Sequence, residues 1–556
     1  MDKIRLIFLG GQDELNKNMA AIEINNDIFV VDAGFRLPDK TKPGIDFVIA
    51  RYDYLVEHKA NIKGYFLTHG YDAVFGALPF IFDKVPAPIF CTKTTYDFFK
   101  GFCIHNKLDV SKLPITIIKT NDDLVIANRK ISFFGVTSNF AESIGLAIDT
   151  DQGNIVYISN AISHNDFEKG FVIEKQKIAK ICENKTLVLM IDALYADKRG
   201  YCSPNYNLLK IFNRNIFDTD GRIFLAIDRA NLFNIIECLN KAISQGRKII
   251  PYDANSAELI NLLFEEGYLN LKKDSIATIE DVNRLRPQEV LVFMTGFLNK
   301  INHKIALLAS HNNDDKIIFI KESDTFVYGA HTIQETETET TEAIDELFKT
   351  GCTILKPNKN YCRMHAWEED IKYFIGLFKP SYLVPVTAPF VKLLACAKVA
   401  LNMNVGLNHN NVFIVDNGNI IEFEAGFGKI ASEKVISGDV FIDGKGVGDV
   451  KTNVLEERQK LSDEGIIILG VTISKARHEI VAGPDVQARG LVFLKDNEGL
   501  IREITRLFVS TVNNELAKEN YSLAYMEQAS KDIAFKAIRR AINKTPVIIP
   551  IITEIN

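Results

Sequence analysis

Short apolar runs, each closed by a polar loop, recur along this chain and leave it few folds to adopt. Ile4-Arg5-Leu6-Ile7-Phe8-Leu9 stops at Gly10-Gly11, and Met19 to Ile24 and Asp27 to Asp32 follow across Asn25-Asn26. Runs of this length between turn residues read as strands, here a meander opening an α/β domain. Gly64-Tyr65-Phe66-Leu67-Thr68-His69, Asn154 to Ile158 and Leu187-Val188-Leu189-Met190-Ile191-Asp192 repeat the form. Their polar ends mark where chemistry is to be sought, because layered α/β proteins place their sites in loops beyond strand ends.

From about residue 206 to 372 strands and helices alternate regularly, as in Arg222 to Ile227 followed by the helical run Leu232 to Gln245. A parallel sheet with covering helices is the simplest reading. The Gly-rich stretch Gly438 to Gly448 then separates this body from a tail. The tail pattern predicts strands near 465–473 and 490–494, helices near 497–518 and 524–542, and a last strand Pro546 to Ile552, an α+β module.

At 556 residues, 47% hydrophobic and 24% charged, the chain is long enough for several cores. No apolar run reaches the ~18–20 residues that span a bilayer, and Met1-Asp2-Lys3-Ile4-Arg5 enters a strand without a signal-peptide core. The expectation is a cytoplasmic protein with no membrane partner. Net charge is −6, so the molecule as a whole does not attract nucleic acid, and any RNA contact must be local. The eight cysteines include no C-x-x-C pair and read as buried or incidental thiols.

Several segments in order carry a resemblance. Gly10-Gly11-Gln12-Asp13-Glu14-Leu15-Asn16-Lys17-Asn18-Met19, Val30-Val31-Asp32-Ala33-Gly34, Phe66-Leu67-Thr68-His69-Gly70, Gly153 to Val156 and Asp443 to Val450 resemble segments of bacterial ribonuclease J. So do Leu455-Glu456-Glu457-Arg458, Gly483-Pro484-Asp485, Ala488-Arg489-Gly490 and Pro546 to Ile552 in the tail. The resemblance is colinear over nearly the whole chain. It implies an α/β fold: a metallo-β-lactamase αββα sandwich (residues 1–205 and, with a linker, 373–448) interrupted by a β-CASP domain (206–372) and followed by a small α+β association domain (449–556). It also implies a nuclease family that removes nucleotides from RNA 5′ ends, and sometimes cuts internally, with two zinc or manganese ions.

Two metals about 3.5–4 Å apart need several converging imidazoles and a bridging carboxylate. The family supplies them with His-x-His-x-Asp-His, a later His and Asp, and a final His. Here the first motif reads His69-Gly70-Tyr71-Asp72-Ala73-Val74: His69 stands, while Tyr71, Ala73 and Val74 occupy ligand positions. Ser138, Asn160 and Thr387 occupy the other three, so one of seven ligands remains. No two of the ten histidines lie within four residues of each other, and Ser, Thr and Asn oxygens are weak, neutral zinc ligands. Asp72, one position from the lost carboxylate, is the only local replacement. Asp32, His69 and Asp192 then read as hydrogen-bonded structural groups. No catalytic residue, no metal site and no cofactor are expected, with zinc or manganese entering only if a reduced site still works.

The resemblance carries RNA-contacting roles onto Asn231, His365 and Ala366, with Trp367 where the family has a small serine. Trp367 offers either a stacking face for a base or a filled channel. Thr295-Gly296 survives from an RNA-contacting turn, whereas Phe297-Leu298-Asn299-Lys300 departs from it, and the acidic run Glu335 to Glu342 would repel phosphate. The expected function is an RNA-processing protein without its own nuclease activity, a scaffold or RNA-guiding subunit of an active ribonuclease J paralogue. The alternatives are an active 5′–3′ exoribonuclease or endoribonuclease with an atypical metal site, and an RNA-binding protein acting alone. Expected partners are the active paralogue, a second copy of the chain and single-stranded RNA.

Overall fold

The computed structural model describes residues 1–39, 41–111, 113–164, 169–212, 216–271, 274–296, 298–312, 318–331, 336–444, 446–448, 452–491 and 498–556. It divides into two compact units, one of residues 1–36 and 49–440, the other of residues 37–48 and 441–556.

The larger unit is built on two sheets packed face to face. The first has eight strands in the order Phe427–Lys434, Asn419–Glu424, Ile4–Gly10, Met19–Ile24, Asp27–Val31, Ile62–Phe66, Ile89–Cys91 and Ile115–Ile117. The second has six, in the order Tyr382–Val386, Thr186–Asp192, Asn154–Ile158, Ile144–Ile148, Arg129–Gly135 and Asp123–Ile126. Side chains alternate across a strand, and the core between the sheets follows that period: Ile4, Leu6 and Phe8 face Ile131, Phe133, Leu146, Tyr157 and Met190. On the outer face of the second sheet Phe134, Val156, Ile158, Leu189 and Ile191 pack under the helices Lys175–Ile181, Glu368–Phe378 and Phe390–Asn402. Burial on both faces explains why Leu187 to Ile191 is apolar without alternation. On the outer side of the first sheet Tyr65 donates to the Val85 carbonyl just past the helix Leu78–Ile81, and Phe75 meets Phe99 of the helix Lys93–His105. The layering is the expected metallo-β-lactamase sandwich.

The inserted domain is a five-stranded, all-parallel sheet, ordered Lys248–Pro251, Val290–Met294, Ile223–Ala226, Thr325–Tyr328, Thr353–Leu355. The expected strand–helix alternation is present, with helices Leu232–Ser244, Ala254–Glu265, Leu298–Ala309 and Glu337–Lys349 between the strands. A buried ion pair fastens one end: Arg222 donates from Nε and Nη2 to Asp324 at 2.9 and 2.5 Å. The chain enters and leaves this domain along adjacent paths. Glu368 and Glu369 donate backbone bonds to the Lys198 and Gly200 carbonyls, and Cys362 to that of Asn205.

The tail unit has a three-stranded sheet, Glu479–Arg489, Ile466–Ser474 and Val547–Ile555, the last two parallel. The parallel pair is bridged by helices Glu498–Leu516 and Leu523–Ile542, whose Ile504, Phe508, Val512, Met526, Ala534 and Ile538 share a core with Ile467, Leu469 and Ile473. One expectation needs correction. The strand placed near 490–494 is Glu479–Arg489 and ends at Gly490 with φ +70°, residues 492–494 lying outside the described residues. Gly483-Pro484 lies within this strand, which is an edge, where a missing N–H is tolerated, and the ladder shifts register near Gly470 opposite it. The helix Thr452–Glu464 was not anticipated; its Leu455 packs on Ile45 and Val48. Of the Gly-rich stretch, residue 445 lies outside the described residues, as do residues 449–451 just beyond it.

Candidate functional site

The residues singled out by sequence converge at one end of the sandwich. Asn160, Asp192 and Thr387 stand at or just past the carboxyl ends of three neighbouring parallel strands, with Ile158 opposite Ile191 and Asp192 opposite Val386. Asp32 and His69 follow a second parallel pair, Val31 opposite Phe66. Strand ends in parallel sheets point their loops the same way, which is how distant segments meet. Asp32, Asn160 and Thr387 each have positive φ, +60°, +45° and +58°. For β-branched Thr387 that is a strained conformation, held by its neighbours.

Asp192 is the hub. Its Oδ2 lies 2.5 Å from His365 Nδ1, its Oδ1 accepts from Thr387 Oγ1 at 3.0 Å and from the Leu194 N–H at 3.0 Å. Burial pushes its carboxyl up, but His365 and these donors outweigh burial and hold it below the ordinary range. His69 takes or gives a hydrogen bond at Nδ1 with Thr68 Oγ1, 2.9 Å, while its Nε2 is buried without a partner. Burial, then the neighbouring His365, depress its imidazole to about 3 against the opposing pull of Asp192, so it is neutral at pH 7. Asp32 accepts from the Thr68 N–H and hydroxyl and from Tyr157 Oη at 3.4 Å, yet burial pushes it up to about 7. Asp32 and Asp192 are thus hydrogen-bonded strand-end groups.

The substituted positions are closed rather than open. Ala73 and Val74 are buried and bound through their carbonyls to the Asn18 and Ala33 N–H groups. A Cβ at Gly34 would lie 1.5 Å from the Ala73 oxygen, so only glycine allows this approach. Tyr71 accepts from Arg363 Nη1 at 3.3 Å, with the guanidinium 5.3 Å from its ring. Ser138 is wholly buried, its Oγ unpartnered, and Asn160 accepts from Ser159 Oγ at 3.2 Å. Burial pushes Asp72 up to about 7 against Arg229 and Arg363. Among the described residues no three His, Cys, Asp or Glu side chains are grouped to hold a metal ion. One imidazole nitrogen with neutral oxygens and apolar side chains does not fit a two-metal centre, because the bridging negative charge is missing.

The positions expected to contact RNA are all buried. Asn231 Oδ1 accepts from Asn139 and Asn234 Nδ2, and its own Nδ2 donates to Tyr361 Oη at 2.6 Å. Ala366 belongs to the core under the outer helices. Trp367 is 8% exposed, with the Lys198 ammonium 5.0 Å above its ring. The Arg229 N–H binds the Gly296 carbonyl, while residue 297 lies outside the described residues, as does Glu335. The acidic run continues as the first turn of the helix Glu337–Lys349, where carboxylates favour the helix dipole.

Sequence reading missed a buried polar group beside the site. Asp228 accepts from His331 Nδ1 at 2.9 Å and Arg363 Nη2 at 3.3 Å; against burial, Arg363 and His331 hold it at about 2. His331 stacks on Tyr361 at 4.3 Å, and Asn139 accepts from the Met364 N–H at 2.6 Å. The signal was present only in Arg363, two positions before His365; Asp228 and His331 are lone residues after strands.

Comparison with known proteins matches residues 220–347 to the ribonuclease J beta-CASP domain and residues 453–555 to the ribonuclease J C-terminal domain. "Ribonuclease J 2" of Staphylococcus aureus is 30% identical over 558 residues, covering 99% of this chain and 98% of that protein. That of Staphylococcus epidermidis is 29% identical with the same coverage. In fold, a protein of unknown function from Enterococcus faecalis V583 superposes with a TM-score of 0.52 at 14% identity, over 76% of this chain and all of that one. Whole-length similarity, the inserted domain and the tail agree: this chain belongs to the ribonuclease J family of RNA-processing proteins.

Proposed function

We propose that this chain is a non-hydrolytic ribonuclease J-like protein that acts as a scaffold or RNA-guiding subunit of an active member of its family. The observation that carries this reading is the donor set around His69: Tyr71, Ala73, Val74, Ser138, Asn160 and Thr387 occupy the ligand positions, and Asp192 is engaged by His365 and Thr387. Without metal-bound hydroxide there is neither nucleophile nor charge stabilisation for phosphodiester hydrolysis, and His365 alone supplies neither. The tail, by contrast, keeps a family-like sequence over 453–555. A related pair of active and inactive chains needs only compatible patches on a shared two-fold arrangement to assemble. No helix among the described residues is long and apolar enough to cross a membrane, and the place of action on this reading is the cytoplasm.

The test uses the purified full-length chain with 5′-monophosphorylated single-stranded RNA and added zinc or manganese. Wild type and His69→Ala should degrade it equally slowly, elemental analysis should find no stoichiometric metal, and the chain should co-purify with an active ribonuclease J. The rival reading, an atypical metal enzyme, has one observation in its favour: the buried, unpartnered His69 Nε2. A metal-dependent rate abolished in His69→Ala would establish that rival.

A further inference from the structure

Two cysteines 160 residues apart in sequence meet where the chain enters and leaves the inserted domain. Cys202 and Cys362 Sγ lie 3.7 Å apart, both side chains buried. Burial alone or nearly alone pushes up the thiols of Cys91, Cys238 and Cys396, whereas Cys202 and Cys362 each have the other's sulfur as a hydrogen-bond partner. Asp370 accepts from the Cys202 N–H at 2.9 Å, and Cys202 Sγ lies 3.6 Å from the Arg363 carbonyl, fixing it against its partner. The Lys198 ammonium sits over the Tyr195 and Trp367 rings beside the pair. The Cys202 hydrogen bond, against burial and with Lys198 assisting, draws the Cys362 thiol below its ordinary value, while burial, then Cys362, push Cys202 well up. Two buried sulfurs within contact distance, one of them with its thiol drawn down, are the arrangement from which disulfides form.

We propose that Cys202 and Cys362 are a redox-active dithiol that a small hydroperoxide converts to a disulfide, clamping the two crossings of the inserted domain together. Cys362 Sγ attacks one peroxide oxygen, the O–O bond breaks, and the departing hydroxide takes up a proton as water, leaving a sulfenic acid. Cys202 Sγ then attacks that sulfur; its proton leaves with the expelled hydroxide as a second water. Two thiols are oxidised and one hydrogen peroxide is reduced to two waters. Closing 3.7 Å to a bond of about 2.05 Å is a short approach of the two sulfurs between crossings already joined by backbone hydrogen bonds. This inference does not depend on whether the chain hydrolyses RNA.

The experiment treats the reduced full-length chain with graded hydrogen peroxide, alkylates it under denaturing conditions and maps its peptides. Free thiols should fall from eight to six, with the Cys202 and Cys362 peptides joined and released by dithiothreitol. The thermal midpoint should rise by about 2–5 °C on oxidation and return on reduction. In Cys202→Ser the link should vanish and a sulfenic acid on Cys362 become trappable by dimedone; in Cys362→Ser, Cys202 should stay reduced at the same dose. The proposal is overturned if the wild-type pair remains alkylatable at doses that oxidise other cysteines, or if Cys202 oxidises as fast in Cys362→Ser as in wild type. The wild-type map needs no variant to fold.

Discussion

Replacing Asp32 by Asn separates a buried charge from the fold that holds it. Asn accepts positive φ as readily as Asp, its amide oxygen can still accept the Thr68 N–H, and its NH2 faces two hydroxyls that can rotate to accept, those of Thr68 and Tyr157. What changes is titration. Burial raises the carboxyl from 3.8 to about 7, so the folded chain binds a proton that the unfolded chain releases. Stability from this group is complete below pH 3.8 and is lost as pH rises through 7. Between pH 5 and pH 8 the linkage relation gives a loss of about 2–3 kcal/mol in wild type that the variant does not suffer. With about 2.1 cal/mol/K per residue of unfolding entropy, a unit of roughly 430 residues converts this to about 3 °C in Tm. The assay is thermal unfolding of both full-length proteins at pH 5 and pH 8, where contributions from all other groups cancel in the difference. A parallel fall in both proteins would mean that Asp32 is already ionised at pH 5 and refute the reasoning.

Three further outcomes follow from the same geometry. Gly34→Ala should destabilise the larger unit by about 3 kcal/mol or more, or abolish accumulation, because backbone and not a mobile side chain lies in the way; chemical denaturation reads this directly. Asp228→Asn should cost about 3 kcal/mol at pH 7 by leaving Arg363 without its counter-ion, the loss shrinking as pH falls toward about 2, and Asp228→Asn/Arg363→Met should recover part of it; additive losses would show the pair is not coupled. Removing residues 450–556 should weaken co-purification with an active ribonuclease J, and undiminished capture would place the association elsewhere.

The layered architecture was legible because strands buried on two faces must be apolar throughout: Leu187 to Ile191 could hardly be anything else. The substituted ligand positions were legible because each follows a strand whose end the resemblance locates. The Asp228–His331–Arg363 group was not, since three residues separated by 103 and 32 positions carry no local spacing; only the fold brings them within hydrogen-bonding reach. The helix Thr452–Glu464 was missed for a different reason. Its run Leu455-Glu456-Glu457-Arg458-Gln459-Lys460 is polar after its first residue, so the apolar face that marks a helix is narrow, and much of it is the single Leu455 set on Ile45 and Val48. Likewise Gly483-Pro484 signals a turn in any local reading, and only its place on a sheet edge makes it strand.

The neighbouring entry and exit paths of the inserted domain have an engineering consequence. Because the Cys362 N–H reaches the Asn205 carbonyl at 3.3 Å, the two ends of the insertion are adjacent in space. A short glycine-serine joint between residues 205 and 362 could therefore close the chain without spanning any gap, excising about 150 residues as a detachable cassette. Equally, an unrelated domain whose termini lie side by side could be spliced in at the same point.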